Sequence, residues 1–201
     1  MNKTKLRLSL LLLGSLALGS CSKSGGNEFT AEGTITDAAG KTLYLETTDT
    51  DEPQLIDSVT LDEKGRFRFR REAHSYPAFY RLRLGESFIP FAADSVTHLT
   101  LSASGKDLFS TYKIESGDEA NKQIREIGQL RTATDKAIEA ILTQLNNGTL
   151  DRGIALARID SLSTQLKNTL TSKYIFSDPK GAAAYYALFQ SYLGGTYFSI
   201  D

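Results

Sequence analysis

The 201-residue sequence predicts an α+β fold. Its front part reads as an antiparallel β-sandwich or barrel of about 7–8 strands, and its rear part as an α-helical hairpin followed by a third helix. Three observations carry this. From Phe29 to about Glu115 apolar residues recur at every second position, the period of a half-buried strand. Near Ser116 the period changes to 3.6, that of a helix with one buried stripe. Short clusters of Gly, Asp, Asn and Ser divide both parts into segments. Strands first and helices afterwards is an α+β order.

The strands can be taken in turn. Phe29, Ala31, Gly33 and Ile35 alternate with Thr30, Glu32, Thr34 and Thr36. Asp37-Ala38-Ala39-Gly40 is a turn, and Leu43 and Leu45 continue in a second strand. Thr48 to Pro53 is an acidic loop. Leu55, Val59 and Leu61 mark a third strand, ended by Asp62-Glu63-Lys64-Gly65, which signals a hairpin into the next run. Phe67 and Phe69 then point one way, and Arg66, Arg68 and Arg70 the other. Tyr80, Leu82 and Leu84 repeat this with Arg81 and Arg83 opposite. Gly85-Glu86-Ser87 turns the chain into Phe88 to Phe91, where Pro90 favours an edge strand or a bulge. Val96 to Leu101 and Thr111 to Ile114 complete the set.

The helices follow from caps and stripes. Ser116-Gly117-Asp118-Glu119 reads as a capping box with Ser116 at the N-cap. Ile124, Ile127, Leu130, Ile138, Ile141, Leu142 and Leu145 share one face, and Asn146-Asn147-Gly148 stops the helix. Thr149 caps the second helix, whose stripe is Ile154, Ala155, Ile159, Leu162, Leu166 and Leu170. The short connection predicts an antiparallel hairpin. Asp178-Pro179 opens a third helix carrying Ala182, Tyr185, Tyr186, Phe189 and Leu193 and ending at Gly194-Gly195. The expected division is therefore a leader over 1–20, a flexible tether over 21–28, a β-sandwich over 29–115 and a helical segment over 116–201.

The leader has Lys3, Lys5 and Arg7, then an apolar run from Leu8 to Leu18, then small residues. This is the layout of a secretory signal, and the run is shorter than the ~20 residues a membrane-spanning helix needs. Removing the leader leaves 20 basic and 24 acidic residues, a net charge of about −4. That balance argues against a general nucleic-acid binder. Cys21 is the only cysteine, so the chain has no disulfide, no Cys-x-x-Cys pair and no thiolate metal site. Its stability rests on its core.

Candidate chemistry is sparse. His74 and His98 each lack a second ligand at metal spacing, and His98 faces away from Leu99 and Leu101. There is no Gly-x-Ser-x-Gly elbow and no glycine-rich phosphate loop. No catalytic residue, metal ligand or cofactor is expected. Arg66, Arg68, Arg70, Arg81 and Arg83 suggest a basic stripe on one sheet face, a surface for an anionic lipid head group or acidic protein patch. The plainer reading is a solvated face with cross-strand acidic partners. Tyr185, Tyr186, Tyr192, Tyr197, Phe176, Phe189 and Phe198 make the C-terminal part aromatic-rich, either as core or as a docking surface.

Three resemblances add to this reading. Leu18-Gly19-Ser20-Cys21 resembles the lipobox of bacterial lipoproteins, in which the cysteine is alkylated by diacylglycerol and becomes the mature N-terminus. Ordinary signal cleavage after Ser20 is the alternative. The lipobox implies a lipid-anchored protein of the cell envelope, at the outer membrane facing the periplasm, with the membrane as partner through the anchor. Asp57-Ser58-Val59, Asp94-Ser95-Val96 and Asp160-Ser161-Leu162 resemble the acceptor for O-glycosylation of exported proteins in Bacteroidota, which would place glycans on Ser58, Ser95 and Ser161. Phe29-Thr30-Ala31-Glu32-Gly33-Thr34-Ile35, the run from Ile56 to Phe67 and Phe79-Tyr80-Arg81-Leu82 resemble domain of unknown function 4369.

That domain is typical of Bacteroidota lipoproteins and often precedes a thioredoxin-like domain of the TlpA type. The resemblance covers roughly residues 29 to 115, and the segment around Asp178-Pro179-Lys180-Gly181 looks like its link to the thioredoxin fold. The redox Cys-x-x-Cys of such proteins has no counterpart here. The expected function is therefore a membrane-anchored envelope lipoprotein module with a non-catalytic binding or positioning role. A thioredoxin-like or other envelope protein is the implied partner. The alternative is the N-terminal part of a TlpA-like thiol-disulfide oxidoreductase whose thioredoxin domain is missing from this chain.

Overall fold

A computed structural model describes residues 27–48, 52–116, 118–192, 195–196 and 198. The leader, Cys21 and most of the tether lie outside the described residues, as do Leu193, Gly194 and Tyr197. The front part is a sandwich of two four-stranded sheets. Its strands are β1 (Glu28–Thr36), β2 (Thr42–Thr47), β3 (Gln54–Thr60), β4 (Arg66–Glu72), β5 (Ala78–Leu84), β6 (Ser87–Ala93), β7 (His98–Ser104) and, after the short helix α1 (Leu108–Thr111), β8 (Lys113–Ile114). Sheet I has the order β4-β1-β7-β8 and sheet II the order β3-β2-β5-β6. The rear part holds helices α2 (Glu119–Asn146), α3 (Arg152–Leu170) and α4 (Ala182–Leu188), then a two-strand ribbon of β9 (Ser191–Tyr192) and β10 (Gly195–Thr196). The predicted α+β sandwich with following helices is the observed architecture, and the sheets do not close into a barrel.

Alternation places the core. Phe29, Ala31, Ile35, Phe67, Phe69, Leu99 and Leu101 of sheet I face Leu43, Leu45, Tyr80, Leu82, Ile89 and Phe91 of sheet II, all buried. The Phe29 ring lies 4.8 Å from that of Tyr80 and 6.0 Å from that of Phe91, so aromatic contacts span the two sheets. Each such side chain contributes about 1.5–3 kcal/mol by leaving water.

Three strand expectations need correction. First, not every pair is antiparallel: β1 and β7 run parallel, with Ala31 opposite Leu99 and Gly33 opposite Leu101. A period of two assigns a face, and parallel and antiparallel pairs share it. Second, Asp62–Gly65 does not make a hairpin of paired strands, because β3 pairs with β2 and β4 with β1. The local turn forms as its residues dictate. The Asp62 carboxylate accepts the N–H of Lys64 at 2.9 Å and of Arg66 at 2.8 Å, and Gly65 adopts φ 73°. The turn is a corner that carries the chain between sheets. There the Gly65 carbonyl accepts the Ile35 N–H at 2.8 Å. Third, Leu55 is 61% exposed rather than core. The β2–β3 register shifts at Leu45/Glu46, so Asp57 opposes Leu45 while Leu55 opposes Glu46. Ile56 is the extra residue of a bulge, which moves Leu55 to the outer face.

The predicted edge strand is confirmed at β6. Its free edge is covered in an unforeseen way. Asn121 in the first turn of α2, only 2% exposed, accepts the Ala92 N–H and donates to the Ala92 carbonyl, both at 2.8 Å. Pro90 is two residues away, with the same parity, and has no N–H to offer. The outer face of sheet II is thereby joined to the helices through Ala92, Ile124 and Ala182, with Phe79, Ala120 and Tyr186 around them. A second cluster of Ile127, Leu166, Leu170, Tyr174, Ala183 and Ala187 holds α2, α3 and α4 together.

The helix starts differ from expectation. Asp118, not Ser116, caps α2, which begins at Glu119, by accepting the Asn121 N–H, and the Ser116 N–H bonds to the Thr100 carbonyl of β7. Asp151, not Thr149, caps α3, accepting the N–H groups of Gly153 and Ile154 at 2.8 and 3.1 Å. The Thr149 hydroxyl instead donates to the Gln144 carbonyl of α2. Helix α4 is capped by Gly181, with Asp178-Pro179 in the preceding turn, and it ends at Leu188 rather than at Gly194-Gly195. A π-helical turn, Thr171–Ile175, extends α3. Ile154 of the expected α3 stripe is half exposed.

Candidate functional site

The five arginines singled out in the sequence do not share a face. Arg66, Arg68 and Arg70 lie on β4 of sheet I, and Arg81 and Arg83 on β5 of sheet II. One alternation pattern in two strands did not reveal that the strands belong to different sheets. On β4 each arginine has its own carboxylate: Arg66 with Asp62 at 2.7 Å, Arg68 with Glu32 at 3.3 Å and Arg70 with Glu28 at 2.5 Å. These pairs are exposed and match the plainer reading of a solvated face with acidic partners.

Sheet II is different. Arg81 and Arg83 share Glu46, whose Oε2 accepts Arg81 Nε at 2.5 Å and whose Oε1 accepts Arg83 Nε at 2.8 Å. The Glu46 side chain is 7% exposed, against 22% for Arg81 and 30% for Arg83. Burial by itself pushes the Glu46 pKa up; hydrogen bonds and charge from Arg83 and Arg81 overcome it and hold the pKa below the usual value. Each guanidinium also covers a ring, Arg83 over Tyr44 at 4.4 Å and Arg81 over Phe88 at 5.1 Å.

Strand register explains this cluster. Leu55, Glu46, Arg81 and Pro90 form one row across β3, β2, β5 and β6, and Ser58, Tyr44, Arg83 and Phe88 form the next. The result is a band with a charged centre and apolar flanks. Glu46, Tyr44 and Phe88 went unrecognised in the sequence. The signal was present as Tyr44 and Glu46 alternating with Leu43 and Leu45, but it required the pairing of β2 with β5.

A cleft of about 380 Å³ lies where sheet II meets the helices, lined by Pro77, Ala92, Val96, His98, Asp118 and Ala182 among others. Most of its polar groups are engaged with each other or with the backbone. Asp94 accepts the Thr97 hydroxyl at 2.8 Å, and Asp118 accepts from Asn121. His98 Nδ1 pairs with the Thr30 hydroxyl at 2.9 Å, while His74 stacks on Tyr76. Among the described residues no group of three or more His, Cys, Asp or Glu is placed to hold a metal ion. Ser58 and Ser161 are exposed, on β3 and α3, and Ser95 is half-buried in the β6–β7 turn. Among the C-terminal aromatics Phe176, Tyr185 and Phe189 are exposed, whereas Tyr186 packs at 6.2 Å from Phe79.

Fold and site define an α+β protein whose β-sandwich carries a charged-aromatic band and is clamped to a helical arm. Residues 29–123 match the family model described as Domain of unknown function (DUF4369). The match includes Asn121, so the clamp onto β6 lies within the matched stretch. No curated protein matches the chain. Among the described residues no helix is long and apolar enough to cross a membrane.

Proposed function

We propose that this chain is a lipid-anchored module of the cell envelope with a non-catalytic binding or positioning role. The observation that carries the reading is Leu18-Gly19-Ser20-Cys21, placed directly after a basic and then apolar leader and containing the only cysteine. Two or more acyl chains on Cys21 give stable anchoring, since each buried methylene contributes about 0.8 kcal/mol. The sandwich is then presented on the tether at the membrane surface, outer membrane and periplasmic side. The chain expressed with labelled palmitate in a bacterium that processes lipoproteins is expected to take up label, and Cys21→Ser to take up none. A mature protein starting at Cys21 with no added lipid mass overturns the reading. Insulin reduction by the purified chain is expected to be absent.

A second reading is that the module is the N-terminal part of a TlpA-like thiol-disulfide oxidoreductase. It is favoured by Tyr185 on α4 and Phe189 at its C-cap, four residues apart and both exposed. Exposed aromatic side chains so close in the chain suit docking of another domain. Reading the coding sequence past the codon for Asp201 tests it. An in-frame Cys-x-x-Cys supports it, and an immediate stop codon removes it.

A further inference from the structure

We propose that the band across sheet II, centred on Arg81 and Arg83, receives a side-chain carboxylate from an acidic, aromatic-bearing peptide segment of a partner protein. The proposal rests on reading the chain as a binding module and names the chemistry bound.

Charge is the first argument. Arg66, Arg68 and Arg70 each have a carboxylate, whereas Arg81 and Arg83 divide one between them. Among the described residues the band therefore sets two guanidiniums against one carboxylate. A charge drawn out of water is stabilised by a partner of opposite sign.

Donor geometry is the second. Glu46 takes the Nε edge of both guanidiniums. Arg83 Nη1 donates to the Gly85 carbonyl at 3.2 Å. Arg81 Nη1 and Nη2 meet no acceptor among the described residues. Together they make the end of a planar fork, the geometry that takes a carboxylate through two parallel hydrogen bonds. The fork is held by Glu46 on one side and by the Phe88 ring below, so little side-chain freedom remains to be lost on binding.

The flanks select the partner's other side chains. Leu55 is 61% exposed and Phe88 39%, and they bracket the arginines at the β3 and β6 sides. Apolar surface beside a guanidinium suits an aromatic or aliphatic residue next to the acid. A membrane surface is disfavoured: anionic lipid surfaces are held by clusters of several Lys or Arg, whereas the band has two arginines that share Glu46. Strand addition at β6 is disfavoured too, since Pro90 and the Asn121 clamp close that edge. The Arg81 fork recognises its partner through a side chain.

A random heptapeptide library panned against the full lipidated chain in detergent tests this. Asp or Glu adjacent to an aromatic or aliphatic residue is expected to be enriched. The selected peptide should lose about tenfold or more in affinity when its acid becomes the amide, when Arg81 becomes Gln and when it becomes Lys, which keeps charge but not the fork. Arg68→Gln should leave affinity within about twofold, because that side chain lies on the other sheet. Thermal unfolding of each variant identifies any that fails to fold, and Arg81→Lys is the variant expected to remain folded. No acidic enrichment, or enrichment unchanged in Arg81→Lys, overturns the proposal. Arg81-dependent binding of glycerol phosphate without acidic peptides would assign the patch to a head group and overturn it equally. Palmitate uptake at Cys21 is independent of Arg81, so a failed selection with intact labelling removes this inference alone.

Discussion

Asn121 hydrogen-bonds both backbone groups of Ala92, standing where a neighbouring strand would otherwise stand beside β6. The same side chain donates to Asp118, the N-cap of α2, at 2.7 Å. One amide thus ends a sheet, starts a helix and joins the two parts of the molecule. Asn121→Ala would leave the Ala92 N–H and C=O buried without partners, a cost of about 1–3 kcal/mol. Denaturant unfolding should show a lower midpoint at unchanged slope. A midpoint equal to that of the wild type would mean that water replaces the amide.

Gly65 and Gly40 both adopt positive φ, at 73° and 76°, yet substitutions there should differ. A Cβ on Gly65 would lie 2.0 Å from the Ile35 carbonyl oxygen, while one on Gly40 meets nothing within 4 Å. Gly40→Ala is expected to cost about 1–2 kcal/mol from backbone strain alone. Gly65→Ala must also push β1 away from the corner, so its melting temperature should fall further. Equal losses in calorimetry would show that the corner yields freely.

The Glu46 pKa is held down in the folded state by Arg83 and Arg81 against the opposing effect of burial. A depressed carboxylate stabilises the fold above its unfolded pKa, near 4.5, and loses that contribution as pH falls through the folded value. The stability difference between wild type and Glu46→Gln should therefore be constant near neutrality and shrink below about pH 4.5. A difference that does not change down to pH 3 would contradict the assignment. Asp62 and Glu126, also depressed, titrate in both proteins and cancel in this comparison.

Arg68→Ala removes an exposed pair and should change stability by less than about 0.5 kcal/mol. Arg81→Ala leaves the buried Glu46 with one partner and should cost about 1–3 kcal/mol. Chemical denaturation of both variants checks the contrast, and a double-mutant cycle with Glu46→Gln isolates the pair. Similar losses for the two arginines would mean that the outer faces of the two sheets are equally solvated.

Much of the fold was legible before any coordinates. Phe29, Leu43, Phe67, Tyr80 and Leu99 declare buried strand faces by alternation, and Ile124, Ile127 and Ile138 declare a helix by spacing. The Pro90 edge was legible because the missing N–H is a property of the residue. The site was much less so. Five arginines at alternate positions look like one stripe, and nothing local records that β4 and β5 belong to opposite sheets. The Leu55 face was misread because a bulge one residue long inverts every side chain beyond it.

What the sequence determined by itself is what depends on a residue and its near neighbours. That includes strand and helix periods, the Asp62–Gly65 turn, the edge strand, the net charge and the single Cys21. Tertiary structure decided which strand lies beside which. It set β1 parallel to β7, turned an apparent hairpin into a corner, put Glu46 between Arg81 and Arg83 and brought Asn121 to Ala92, 29 residues away along the chain. The physical reason is that turn and cap chemistry act over a few bonds. Strand partners are instead chosen by the global burial of apolar faces, and that choice depends on all the strands at once.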